Sequence, residues 1–220
     1  MKRHTTSAFT LIEMLTVMAV IAILASLIVA VNAFAHKKAA LLRADGEIKS
    51  MASACENYKA DFGSYPRDTD AGSDTDSLDP RTDGNPTTSS YEKANIVLYK
   101  TLSGDAKQGT DATTPAVKTD VPDGKPETKG YFDFRPDQLR RTTSGDIRFI
   151  QDPFGNPYGF STAGAAAEEK FREKVQTDPS VQRTLKGFSP NFDLWSTGGV
   201  ISKNTGDALN LDRKRWVKNW

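Results

Sequence analysis

The chain has one cysteine, Cys55, and two histidines, His4 and His36, among its 220 residues. A single cysteine excludes an internal disulfide, so the fold must be held together by packing. Both histidines precede residue 37, which leaves the rest of the chain without a histidine for metal ligation, proton transfer or a catalytic triad. Walker and GxGxxG phosphate-binding loops are also absent. These absences argue against an enzyme.

The chain also lacks an excess of charge, with 29 basic and 28 acidic residues and a formal net charge of +1. A nucleic acid or an anionic surface would therefore need a local basic patch. The tail from Arg213 to Trp220 combines four basic residues with two tryptophans, a pattern that can hold phosphates and stack bases. We favour the alternative, in which the tryptophans pack on the protein's own sheet, and do not expect nucleic acid as a partner.

One long segment lacks charge altogether. No charged residue occurs from Met14 to Val31, a length that reaches that of a membrane-spanning helix. Basic residues flank both sides, so charge alone does not determine the orientation. The segment is too long for a cleaved secretory signal, and any processing point is expected before it, at Ala8-Phe9. An uncleaved signal-anchor is the alternative.

Glu13 lies just before this uncharged segment. A carboxylate in a membrane helix costs about 2.5–3.5 kcal/mol at the centre, less near an end, and usually has a partner. Cleavage after Ala8 would give Phe9 a free α-amino group four residues away, and a neighbouring subunit could offer the same group. Attraction between the two charges at low dielectric would then set the stagger of packed helices. Alternatively, Glu13 lies solvated at the headgroup level.

The stretch Ala8-Phe9-Thr10-Leu11-Ile12-Glu13-Met14-Leu15 resembles the prepilin-type processing motif of type IV pilins and of type II secretion pseudopilins. The resemblance implies that a prepilin peptidase cuts between Ala8 and Phe9, that Phe9 is N-methylated, and that Glu13 pairs with a neighbour's terminus during assembly. One position departs from the motif, because Ala8 stands where the family usually has Gly.

The helical pattern continues beyond the apolar segment. Apolar residues recur at spacings of three and four from Leu41 to Phe62, while polar residues, Glu47 among them, occupy the other faces. We therefore predict one helix from the membrane to about Asp61, ended by Gly63 and Pro66. Cys55 lies on the apolar stripe and is expected to be buried and inert.

Residues 66–130 are rich in Asp, Thr, Ser, Gly and Pro, and most of this region is predicted to be loop. The exception is a short helix from Tyr91 to Leu102. The aspartates between Asp68 and Asp83 do not match a calcium-binding loop, and a solvated acidic loop is expected instead.

From Tyr131 onward, short strands broken by turns predict an antiparallel sheet. The strands are expected at 147–150, within 152–160 and at 192–196, with a helix from Ala165 to Gln176 between them. A sheet laid across the exposed half of the long helix would give an α+β fold. The expected divisions are a leader (1–8), a transmembrane and assembly helix (9–35), an amphipathic spine helix (36–63) and an α+β domain (64–220) with a long loop (64–130).

Two further stretches, Asp152–Tyr158 and Phe192–Gly198, resemble the strand-turn-strand signature and the closing strand of the major, G-type pseudopilin. Glu56–Tyr58 and Gly63–Pro66 resemble its junction between spine and loop. The resemblance implies a single-pass protein of the bacterial inner membrane with a periplasmic domain. It also implies a helical homopolymer that acts with minor pseudopilins and an inner-membrane assembly platform in protein secretion.

The same family holds calcium after the closing strand, and the Asp expected near position 200 is missing here. Asp207 and Asp212 remain as candidate ligands, with plain loop packing as the alternative.

A type IV pilin or minor pilin for adhesion, motility or DNA uptake is the alternative function. Many such pilins close a C-terminal loop with a disulfide, which one cysteine cannot form.

Overall fold

The computed structural model describes residues 10–68, 74–105, 129–201, 210 and 212–220. The helices are α1 (Leu11–Phe62), α2 (Ser89–Ser103) and α3 (Ala163–Thr177), with a short 3-10 helix at Pro136–Gln138. The strands are β1 (Leu139–Arg141), β2 (Ile147–Ile150), β3 (Gly159–Ser161), β4 (Asp193–Ser196) and β5 (Val217–Lys218). Helices and small antiparallel sheets make this an α+β fold, which confirms the predicted class.

Helix α1 ends where the sequence predicts. Gly63 adopts a φ of +80° and donates its N–H to the carbonyl oxygen of Lys59 at 2.7 Å. Glycine takes this left-handed conformation without the steric cost that a Cβ would add, so it terminates the helix. Gly46 does not interrupt α1.

The chain divides into two compact units, Met1–Ala40 and Leu41–Trp220. In the second unit, Ala44, Ile48, Met51 and Cys55 are between 0% and 1% exposed. The predicted apolar stripe is therefore a core face. The thiol of Cys55 is free, and burial raises its pKa, so it stays protonated and inert.

The described strands form two sheets rather than the single sheet predicted. One is the β1-β2 pair, and the other has the order β3-β4-β5. Gly159 lies opposite Trp195, and a Cβ at Gly159 would lie only 2.1 Å from that indole. Strand β5 was not predicted, and β4, predicted as the closing strand, is instead central.

The side chain of Asn95 in α2 bridges the two sheets. Its amide nitrogen donates to the carbonyl oxygens of Tyr158 at 2.8 Å and Ile150 at 3.2 Å, and its oxygen accepts the N–H of Ile150. Asn95 is fully buried. A helix side chain thus provides the hydrogen bonds that a neighbouring strand would otherwise provide.

The expectation of a solvated acidic loop is confirmed for Asp83, which is exposed, and is wrong for Asp76, which is partly buried. Asp76 pairs with Arg67 at 2.8 Å and accepts the hydroxyl of Thr162 at 2.7 Å. Thr75 is 0% exposed. Arg67 precedes the loop and Thr162 lies 86 residues from Asp76, so spacing within the loop did not predict these partners. Of the aspartates in this run, Asp70 lies outside the described residues.

Candidate assembly segment

Glu13 and Thr10 form a reciprocal cap at the start of α1. The backbone N–H of Thr10 donates to Glu13 Oε2 at 2.9 Å, and the Thr10 hydroxyl donates to the same oxygen at 2.7 Å. The N–H of Glu13 lies 3.4 Å from Thr10 Oγ1. This is the capping-box arrangement, in which a Thr and a Glu three residues later satisfy free helix-end donors. The helix dipole also favours a carboxylate here.

The cap was missed by the sequence analysis, although Thr10-Leu11-Ile12-Glu13 matches its T-x-x-E signature. Glu13 is therefore neither idle nor solely a group awaiting an intermolecular partner. Its bonds use Oε2, and within the described residues Oε1 accepts no hydrogen bond. One carboxylate oxygen thus orders the helix start, while the other takes no part in this local cap.

The first half of α1 presents apolar side chains on every face. From Leu11 to Phe34, each large apolar side chain that the structure describes is at least 50% exposed. Leu11–Ile28 is long and apolar enough to cross a membrane. Exposure on all faces distinguishes this segment from an amphipathic helix, which has one polar face. It fits a single-pass membrane anchor.

The spine part of α1 carries a buried carboxylate that holds it to the rest of the second unit. Glu47 is 6% exposed and accepts the hydroxyl of Tyr158 at 2.6 Å. It also pairs with Arg43, one turn away, at 2.8 Å and with Arg135. Glu47, which the helical pattern placed on a polar face, is therefore buried by partners from elsewhere in the chain. Burial raises the pKa of the Tyr158 hydroxyl, and the hydrogen bond to the Glu47 carboxylate raises it further.

Residues 3–29 match a protein-family profile described as the prokaryotic N-terminal methylation motif. The match covers Glu13, Thr10 and most of the exposed apolar helix. It indicates a type IV pilin-like protein. No curated protein and no solved structure matches the chain.

The motif is that of structural pilin-like subunits rather than enzymes, and it implies self-assembly and processing by a prepilin peptidase. The predicted processing residues, Ala8 and Phe9, lie outside the described residues. The cut and the methylation of Phe9 therefore stay predictions, as does the assembly role of Glu13.

The predicted calcium ligands are not brought together within the described residues. Asp207 lies outside them. Asp212 has helical backbone, and its carbonyl oxygen accepts the N–H of Arg215 at 2.9 Å. No group of three His, Cys, Asp or Glu side chains suited to a metal occurs in the described part of the chain. The calcium site stays a prediction.

The C-terminal tail packs on the protein, as the favoured alternative predicted. Trp216 stacks on Trp195 with ring centroids 5.7 Å apart, and Trp220 stacks on Phe188 at 4.8 Å. Arg213 is 8% exposed and donates to the carbonyl oxygens of Pro80 and Arg81. The ammonium group of Lys218 lies 5.4 Å from the ring centroid of Trp220. Two tryptophans and two of the four basic residues thus contact other groups of the protein.

Proposed function

We propose that the chain is a structural subunit of a periplasmic pseudopilus that drives protein export by type II secretion. The observation that carries the proposal is the capped Glu13 at the start of a fully exposed apolar helix within the methylation motif. In this proposal a prepilin peptidase cuts at Ala8-Phe9, Phe9 is N-methylated, and the subunit leaves the membrane for the filament.

Glu13 has two roles in this proposal. Through Oε2 it orders the helix start with Thr10. Through Oε1 it meets the α-amino group of Phe9 from a neighbouring subunit, and in low dielectric the two charges attract strongly enough to select one axial stagger. A single helix start can thus be rigid before assembly and still offer an acceptor for assembly.

The apolar side chains of α1 provide the contact area. A helix exposed on every face is stable in lipid, and outside lipid it must be covered by copies of itself. Such contacts join different surfaces of successive copies, so they are heterologous and repeat into a filament rather than closing into a ring. The partners are therefore other copies of this chain, minor pseudopilins and an inner-membrane assembly platform.

A type IV pilin is the alternative. The turn at Asp152 supports the pseudopilin, because the stretch that resembles the G-type signature forms a hydrogen-bonded turn. Asp152 is 2% exposed and accepts the N–H groups of Phe154 and Asn156 at 2.9 and 2.8 Å. Its other oxygen accepts the Ser196 hydroxyl from β4 at 2.5 Å. The signature residues thus join the turn to the sheet.

The deciding experiment compares Glu13→Ala with Thr10→Ala in cells that carry the secretion system. Glu13→Ala removes the whole side-chain cap and the assembly carboxylate. Thr10→Ala removes only the hydroxyl's part of the cap and keeps the carboxylate with its bond to the backbone N–H of residue 10. We expect N-terminal sequencing to find Phe9 as the first residue in the wild-type protein and in both variants. Filament formation and export should be lost with Glu13→Ala and retained with Thr10→Ala.

Normal assembly of Glu13→Ala, or a wild-type chain that keeps its leader, would contradict the proposal. Equal loss of assembly in both variants would reduce Glu13 to a capping residue. Filaments displayed outside the cell without any effect on export would favour the type IV pilin instead.

A further inference from the structure

Helix α3 and the segment 178–191 are an addition to the sheet rather than part of it. Strands β3 and β4 pair directly, with Phe160 opposite Leu194. Adjacent antiparallel strands need only a turn of a few residues between them. Residues 162–192 instead form α3 and an exposed stretch, residues 178–191, which we call the return segment. The sheet does not require either of them.

A cleft separates α3 from the return segment. It consists of two adjoining cavities of about 170 and 290 Å³, which share Ala167, Thr184 and Lys186 in their walls. We call it the α3 cleft. The smaller cavity has a mixed lining, and we call its apolar part, which includes Ala166, Phe171 and Val181, the floor. An apolar cavity of about 150 Å³ accommodates a benzene-sized group, so one aliphatic side chain fits here.

Unneutralised cations surround this floor. Lys170 and Lys174 lie one turn apart on α3, and Lys186 projects from the return segment. All three are exposed, and within the described residues none of them forms an ion pair. The lysines therefore leave the cleft with an excess of positive charge.

The acidic groups of the cleft are already neutralised. Asp76 is held by Arg67 at 2.8 Å. Glu168 pairs with Arg172 at 3.1 Å and with Arg183. Neither carboxylate is free to compensate the three lysines, and these three ion pairs stiffen the walls of the cleft.

We propose that the α3 cleft binds an acidic peptide segment of another protein, with carboxylates at Lys170, Lys174 and Lys186 and an aliphatic side chain on the floor. Apolar side chains at the rim extend this surface, since Leu185 is 64% and Phe188 38% exposed. A nucleic acid would use the cations but would leave the aliphatic floor uncovered. None of the described residues that line the cleft belongs to α1, so this binding does not require the helix that the proposed function assigns to assembly.

The test uses the full chain in zwitterionic detergent micelles and fluorescence anisotropy. The probe is a fluorescein-labelled octapeptide of alternating Glu and Leu, and the control peptide has Gln in place of Glu. We expect the Glu peptide to bind at low salt, to weaken as salt screens the charges, and to bind about tenfold or more tightly than the Gln peptide.

The matched variants are Lys170→Glu/Lys186→Glu in the cleft and Lys214→Glu/Arg215→Glu on exposed surface elsewhere, where neither residue forms an ion pair with another described residue. The first should weaken binding of the Glu peptide about tenfold or more, and the second by less than about twofold. Thermal melts verify folding, and Lys170→Ala/Lys186→Ala replaces the first variant if charge reversal unfolds the protein.

No binding of the Glu peptide at low salt would overturn the proposal, as would equal binding of the two peptides. Equal weakening by the cleft and surface variants would overturn the assignment to this cleft. Tighter binding of a dT oligonucleotide at the same lysines would replace the acidic peptide with a nucleic acid backbone.

Discussion

Asp193, at the start of β4, is 1% exposed and holds the return segment by its backbone. Its two carboxylate oxygens accept the N–H groups of Phe188 and Ser189, each at 2.8 Å. Burial, and to a lesser extent the nearby carboxylate of Asp79, raise the pKa of Asp193 to about 6, against the opposing effect of the two backbone donors. The folded protein therefore binds this proton more tightly than the unfolded chain does.

The sign of the pH dependence follows from that difference. The stability contributed by Asp193 is fully present below the unfolded pKa, near 3.9, and is lost as the pH rises through about 6. We expect the free energy of unfolding to fall between pH 4 and pH 7, by up to about 3 kcal/mol from this group. Urea unfolding at several pH values measures it.

The variant Asp193→Asn isolates this contribution. The amide cannot ionise, so the slope of unfolding free energy against pH should be smaller in the variant, whatever its absolute stability. Identical slopes in the two proteins would contradict the assignment. Asp152, whose pKa burial also raises, is present in both proteins and cancels in the comparison.

Single residues differ in how far local sequence predicts them. The cap formed by Thr10 and Glu13 spans three residues and follows a known signature, so the sequence was sufficient in principle. Glu47 is different, because its position in the helical pattern predicted a polar face and not a buried site. Its burial depends on Tyr158 and Arg135, which lie about 90 to 110 residues further along the chain.

At the scale of elements, the local patterns predicted the three helices closely. The predicted bounds Tyr91–Leu102 and Ala165–Gln176 compare with Ser89–Ser103 and Ala163–Thr177. Helical periodicity is a local property and survives folding. The two-residue strand β5 has no comparable signal, and its pairing with β4 brings residues 195 and 218 together. Short strands are defined by their partners rather than by their own sequence.

The substitution Asn95→Ala tests whether a helix side chain joins the two sheets. Its replacement by Ala would leave the N–H of Ile150 and the carbonyl of Tyr158 buried without this partner, and each such loss costs roughly 1–3 kcal/mol. We expect Asn95→Ala to lower the unfolding free energy by about 3 kcal/mol in urea titrations.

The control for Asn95 is Asn191→Ala. Asn191 is exposed, and its side chain forms no hydrogen bond with other described residues, so its loss should change stability by less than about 0.5 kcal/mol. A similar effect of the two substitutions would argue against the bridging role of Asn95.

At the scale of the whole molecule, the core of the second unit is complete without the first 40 residues. Every buried residue of its main apolar cluster lies between Ile48 and Leu194. We expect a fragment spanning residues 41–220 to be soluble without detergent, with a cooperative thermal transition, because it lacks the exposed apolar helix. Sedimentation and circular dichroism measure both properties.

A fragment spanning residues 52–220 is the matched control. It lacks Ala44, Ile48 and Met51, which are buried in the core, and Glu47, the acceptor for Tyr158. We expect it to lose the cooperative transition. Aggregation of the longer fragment, or unchanged melting of the shorter one, would contradict the division at Ala40.

The sequence by itself determined the elements of this protein that depend on neighbouring residues: an uncharged helix of membrane length, the processing motif, the stop at Gly63 and the helical parts of the domain. The tertiary structure alone decided that the strands form two sheets bridged by Asn95, that Glu47 and Asp76 are paired and partly or wholly buried, and that α3 borders a basic cleft. Those features depend on contacts between residues distant in sequence. Burial in such contacts changes the free energy of an ionised side chain, and a local sequence pattern does not show which side chains will be buried.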